Sequence, residues 1–471
     1  MAYAAAVIMS GPGDRVRQPG TDTQGALPPP GGDVVGVSSA TKCPGSPDAG
    51  TGDRPPSEED ESMEQNDTHW ADTSALAPPP WLHPHSSTLP ATGAWTPGDP
   101  LGQRQFMKMA VDRPFVLEGG GQLHDVTIAF ETWGTLAPDA SNAVLVCHAL
   151  TGDSHASGPA GAGHPTPGWW DDLIGPGRPL DTERWFVVCA NVLGGCQGSS
   201  GPASPHPDHL GRYGPDFPVV TMRDIVRTQA RLADALGVDR WHAVIGGSMG
   251  GMQALEWGVM YPERVARLVA VASCTAASAQ QIAWWSTGRR AIALDPKWRN
   301  GRYYDAPPGE GPHAGLALAR MVSQVTFRSD DVFTDRFGRE PVESLAGRLE
   351  LWQRFEVERY LDHHGAKLSR RFDANSYLLL TKAMDLHDLA RGRGGLRAAL
   401  KRITAPVLSM GITSDILYPE YQQRELVTDV IAAGGSATFH EIDSPHGHDA
   451  FLIDHQQVAA ALIPFLEKPR T

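Results

Sequence analysis

The stretch Trp241-His242-Ala243-Val244-Ile245-Gly246-Gly247-Ser248-Met249-Gly250 joins a short apolar run to a serine bracketed by glycines, and residues 249–260 continue it with helical spacing. Strand, sharp turn and helix in that order are what a nucleophile elbow requires. Such a turn forces its serine into strained φ/ψ, so positions 246 and 250 must be small. It also aims Oγ over the N-terminus of the following helix, where free N–H groups stabilise negative charge. A Gly-rich turn with an N-capping serine would spell the same G-x-S-x-G, and 51 glycines allow chance matches. The flanking strand and helix favour the nucleophile.

Outward from the elbow, residues 126–132 alternate weakly, Ala143–Cys147 is a solid apolar run, and residues 185–190 form another. Residues 223–236 place Ile225, Val226, Leu232 and Leu236 on one helical face, with Gly237 as a stop signal. Residues 268–272 return to strand character. Short buried runs alternating with helices predict a parallel sheet covered on both faces. Between 276 and 400 the rhythm changes to helical stretches at 316–325, 341–362 and 376–389, rich in Arg, Asp and His. Strands return at 405–411 and 437–442, with helices at 419–432 and 455–466. The organisation expected is one α/β domain, its first part over 105–275 and its second over 401–471. A helical lid insertion over 276–400 separates the two.

Composition bounds the rest. Residues 1–100 hold 16 of the 39 prolines and 13 Asp/Glu against 4 Lys/Arg, including Glu58-Glu59-Asp60-Glu61. This composition cannot bury enough apolar surface to offset ordering entropy, so a disordered tail is expected there. A chain beginning near Ala94 should then fold and keep its turnover. The formal charge of -14 argues against a nucleic-acid partner. No apolar run approaches the roughly 18 residues of a membrane helix, so no membrane partner is expected. Five cysteines without a C-x-x-C pair fit a reduced, cytoplasmic chain. Among the 18 histidines, His363-His364 and His446/His448 lack further ligands, so no metal is expected.

A serine nucleophile needs a base, and in the α/β-hydrolase order an acid and then a histidine follow it. Asp415 closes Gly411-Ile412-Thr413-Ser414-Asp415, just past the strand at 405–411. His446 and His448 both follow the strand at 437–442, and spacing does not choose between them. One oxyanion donor is the Met249 N–H. The other is expected after Ala143–Cys147, from Leu150 in His148-Ala149-Leu150-Thr151-Gly152.

Several blocks together resemble the homoserine O-acetyltransferase family. They are His148-Ala149-Leu150-Thr151-Gly152-Asp153-Ser154-His155, Pro167-Gly168-Trp169-Trp170-Asp171, Asn191-Val192-Leu193-Gly194-Gly195-Cys196-Gln197-Gly198 and the elbow itself. Gly315-Leu316-Ala317-Leu318-Ala319-Arg320, Arg371-Phe372-Asp373-Ala374-Asn375-Ser376-Tyr377 and Gly447-His448-Asp449-Ala450-Phe451-Leu452 complete them. The resemblance runs collinearly over about 110–467 and implies an α/β-hydrolase fold with a helical lid. It implies the triad Ser248, Asp415 and His448, choosing the histidine of Gly-His-Asp over His446. It further implies Arg320 and Asp449 as anchors for an amino acid's α-carboxylate and α-ammonium, a pairing that charge-assisted hydrogen bonds favour.

The implied reaction moves acetyl from acetyl-CoA, a co-substrate, to L-homoserine in methionine biosynthesis, in a homodimer without metal or prosthetic group. Thr151-Gly152-Asp153-Ser154 and Met249 follow the acetyl users of the family rather than its succinyl users. Serine acylation, homoserine succinylation and simple ester hydrolysis are the alternatives. Trp284-Trp285 departs from the family pattern as bulkier than expected beside the acceptor tunnel.

Overall fold

A computed structural model describes residues 88–110, 112–208, 210–345 and 349–468. Its main sheet has eight strands: β1 (Gln105–Met109), β2 (Val126–Trp133), β3 (Ala143–Cys147), β4 (Phe186–Ala190), β5 (Ala243–Gly247), β6 (Leu268–Val271), β7 (Val407–Ile412) and β8 (Ala437–Ile442). Their spatial order is β1-β2-β4-β3-β5-β6-β7-β8. β1 and β2 run antiparallel at one edge, and every pair from β4 onward is parallel. This is the expected α/β-hydrolase sheet. The central strands are short and buried along their whole length, as a sheet covered on both faces demands.

Alternate side chains serve two cores. Leu145, Val244 and Leu268 join the apolar faces of α1 (Met222–Leu236) and α2 (Met249–Met260). Val144, Ile245 and Val269 point the other way, into a core that also holds Trp170, Phe451 and Leu462. The period of two along each strand thus fixes which helices can cover which face.

Between β6 and β7 the chain leaves the sheet for α3 (Ala279–Leu294), α4 (His313–Phe327), α5 (Asp330–Phe337), α6 (Glu356–Ser369), α7 (Ala374–Asp385) and α8 (Leu396–Leu400). The second part then adds α9 (Glu420–Ala432) and α10 (His455–Glu467). Two details differ from expectation. The helix predicted over 341–362 begins only at Glu356, because Pro341 bridges to Phe355 and the Phe355 N–H is capped by Glu358 Oε2 at 2.7 Å. The boundary placed at residue 100 falls inside packed chain: Ala91 and Ala94 are buried, and Thr92 Oγ1 donates to Asp373 at 2.8 Å. The part of the predicted tail before residue 88 lies outside the described residues.

Candidate active site

Ser248 sits between β5 and α2 with φ 57° and ψ −124°, strained backbone for a side-chain-bearing residue. Crowding enforces the glycines around it. A Cβ on Gly246 would stand 2.2 Å from Gly250, and one on Gly250 would stand 2.1 Å from the Cys147 carbonyl oxygen. The Ser248 side chain caps no helix N–H and lines a cavity of about 190 Å³.

Asp415 follows β7 and is buried. Its Oδ1 accepts the Leu417 and Tyr418 N–H groups, each at 2.8 Å, while Oδ2 lies 2.7 Å from His448 Nδ1. A carboxylate only accepts, so the imidazole proton is held on Nδ1 and Nε2 is left with its lone pair. The His448 ring is packed against Tyr418, Phe327 and Phe451 at centroid distances of 5.1, 5.8 and 5.6 Å. His448 lines the same cavity as Ser248; His446 does not. The pairing that spacing left open is therefore closed by geometry.

Leu150 also lines the cavity. Among the described residues, neither the Leu150 nor the Met249 N–H donates to a protein acceptor. The loop carrying Leu150 is braced internally and from Val192 and Arg371. His148 Nδ1 lies 2.8 Å from the Ala149 carbonyl oxygen, and its Nε2 accepts the Val192 N–H at 3.1 Å. Arg371 donates to the Thr151 carbonyl at 2.8 Å.

Arg320, from α4, and Asp449 also line the cavity. The Arg320 guanidinium lies 5.1 Å from the Phe327 ring and forms no ion pair among the described residues. Burial lowers its pKa, and the Asp449 charge opposes that shift. Asp449 is already engaged by Arg328, at 3.2 Å. A cation-rich region adjoins Arg320: His364 is pushed down to about 4, first by burial and then by Arg320, His363, Lys367 and Arg328. Arg371 and Arg328 were not singled out as site residues from sequence. Arg371 opens the segment 371–377, but nothing local to either arginine shows which carboxylate or carbonyl it reaches.

A buried group also escaped the sequence reading. Glu131 on β2, His155 and His164 bring ligand-type atoms within 4.8 Å of one another. The two rings are stacked, 3.7 Å between centroids and 9° between planes. An ion in the plane of one ring would lie out of the plane of the other, and His164 Nε2 already accepts the Gln103 N–H at 3.1 Å. The group therefore suits hydrogen bonding better than metal ligation. The available signal was a carboxylate within a mostly buried strand.

The family model for the alpha/beta hydrolase fold matches residues 142–454. A homoserine O-acetyltransferase of Thermobifida fusca is 52% identical over 384 residues, which is 81% of this chain and 98% of that protein. Among solved structures, a homoserine O-acetyltransferase from Bacillus anthracis superposes with a TM-score of 0.72 at 30% identity, over 78% of this chain and 98% of its own. Esterase E22 superposes with a TM-score of 0.71 at 30% identity, over 77% and 99%. No helix among the described residues is long and apolar enough to cross a membrane.

Proposed function

Because the chain belongs to the homoserine O-acetyltransferase family of α/β hydrolases, we propose that it transfers an acetyl group from acetyl-CoA to the γ-hydroxyl of L-homoserine, a step of methionine biosynthesis. The observation that carries the reading is the Asp415–His448 pair sharing one cavity with Ser248 and the anchors Arg320 and Asp449. His448 Nε2 takes the Ser248 Oγ proton as Oγ attacks the thioester carbonyl carbon. The Met249 and Leu150 N–H groups receive the oxyanion. Collapse breaks the C–S bond, and the thiolate takes the proton from His448 to leave as free CoA. His448 then takes the γ-hydroxyl proton of homoserine, whose oxygen attacks the acetyl-serine. Ser248 departs with the proton and O-acetylhomoserine is released. Arg320 grips the α-carboxylate and Asp449 the α-ammonium. The chemistry so written calls for no metal or prosthetic group.

Two further parts belong to this reading. A cytoplasmic location is supported by Cys147, Cys189, Cys196 and Cys274 being free thiols. A homodimer is supported by the exposed Leu318 and Val325, seven residues apart on one face of α4.

Ester hydrolysis is the second reading, favoured by the likeness to esterase E22. Mass spectrometry after acetyl-CoA alone should show an acetyl adduct that is absent in Ser248→Ala. Steady-state kinetics crossing acetyl-CoA and succinyl-CoA with L-homoserine, L-serine and water should give the highest kcat/KM for acetyl-CoA with homoserine. Faster hydrolysis than transfer would establish the esterase. A winning serine or succinyl reaction would move the chain to that specificity.

A further inference from the structure

Glu131 lies in the interior of β2 with no solvent exposure, an unusual place for a carboxylate. Both its oxygens are used by the loop that follows β3. Ser154 Oγ donates to Oε1 at 2.9 Å, and His155 Nδ1 lies 2.9 Å from Oε2. The same loop begins at His148 and carries Leu150, and Asp153 Oδ1 accepts the His155 N–H at 2.9 Å. His155 is buried, stacks on His164 and lines the cavity.

We propose that Glu131 and His155 are positioning residues that hold the 148–158 loop, and with it the Leu150 N–H, where a tetrahedral oxyanion needs a donor. The inference rests on the reading that Leu150 serves the oxyanion. A buried carboxylate held by a hydroxyl and an imidazolium forms a net-neutral clamp between the sheet and the loop. Neutral His155 would still donate from Nδ1, but it would leave the Glu131 charge without its hydrogen-bonded counter-ion, with Arg104 acting only through space. The groups facing His155 are Glu131, His164 with Arg104 behind it, Asp153 on its own loop and Asp171. Burial pushes the His155 imidazolium down, but the Glu131 carboxylate outweighs it and the net lies above the ordinary value. His164 is lowered by burial first, with Arg104 acting in the same direction, and it accepts rather than donates at Nε2. The charged clamp is therefore lost as the pH rises through the His155 titration.

The test uses the full chain with p-nitrophenyl acetate, an ester that needs the oxyanion donors but neither CoA nor homoserine. Glu131→Gln should lower the acylation rate about 10- to 100-fold, with KM for the ester within about twofold, because a donor is misplaced rather than removed. The ratio of wild-type to variant rate should be largest below the His155 titration and should narrow above it. His155→Gln can still donate to Glu131 but cannot titrate. It should keep more of the rate and lose the alkaline dependence, and it remains informative if Glu131→Gln does not fold. Equal loss at every pH in both variants, or a change in KM alone, would overturn the proposal. Failure of acetyl transfer to homoserine in the wild type would overturn the functional reading instead, leaving the ester result interpretable.

Discussion

Arg320 lines the cavity and forms no ion pair among the described residues, whereas Asp449 already shares its charge with Arg328. Recognition of the acceptor should therefore lean on its carboxylate more than on its ammonium. Arg320→Ala is expected to lower kcat/KM for homoserine about a hundredfold or more, since a desolvated charge pair is lost. Formation of the acetyl-enzyme from acetyl-CoA should be nearly unchanged, because the donor does not need that anchor. Single-turnover experiments on the two half-reactions check this. Equal damage to both would show that Arg320 supports the triad rather than the acceptor.

At the scale of elements, the site is a meeting of the sheet's carboxyl ends with the helices between β6 and β7. α4 supplies Arg320 and Phe327, α3 supplies Trp285, and the turn after β8 supplies His448 and Asp449. The contact between α4 and that turn is backbone-tight. Gly447 has φ +66°, and a Cβ there would lie 2.8 Å from the Phe327 carbonyl oxygen. Gly447→Ala is thus both conformationally strained and sterically blocked. It should push the His448 turn away from α4, lowering kcat about tenfold or more and reducing Tm. Kinetics together with thermal melting would check both effects. Unchanged kcat with a lowered Tm would mean that His448 holds its place through Asp415 alone.

At the scale of the whole molecule, residues 91–95 clamp the insertion that carries Arg371. Gln197 Nε2 bridges the Gly93 and Arg371 carbonyls at 3.2 and 2.6 Å, and the Trp95 N–H donates to Cys196 at 2.9 Å. A chain starting at Thr88 should retain turnover and Tm. One starting at Thr96 should lose stability and raise KM for homoserine. Purified truncations compared by melting and kinetics decide this, and it replaces the expectation that a start near Ala94 is harmless.

The same cation-rich region sets a pH dependence of stability. His364 has a folded value of about 4 against roughly 6.5 when free, so the unfolded chain binds the extra proton between them. Its contribution is therefore lost as the pH falls from about 6.5 towards 4. His364→Gln should make Tm fall less steeply over that window. Parallel Tm-against-pH curves for the two proteins would rule the contribution out.

The sequence alone determined the features written in local periodicity. The bounds of Ala143–Cys147 follow from its solid apolar run, because burial on two faces leaves no room for polar residues there, and those of Ala437–Ile442 and the helix Met249–Met260 follow from their spacing. The elbow was legible for the same reason: backbone crowding at Gly246 and Gly250 admits no other residue. The order of serine, acid and histidine followed from the fold class. What the letters could not say was which distant groups meet. His448 rather than His446 reaches Asp415 because a turn with a left-handed Gly447 aims the ring, and spacing of two residues carries no such direction. The Arg328 pair with Asp449, the Arg371 bond to Thr151 and the Glu131 clamp join residues from tens to more than two hundred positions apart. Only tertiary structure decides these, because the energy of a charge depends on the burial and partners that the whole fold provides.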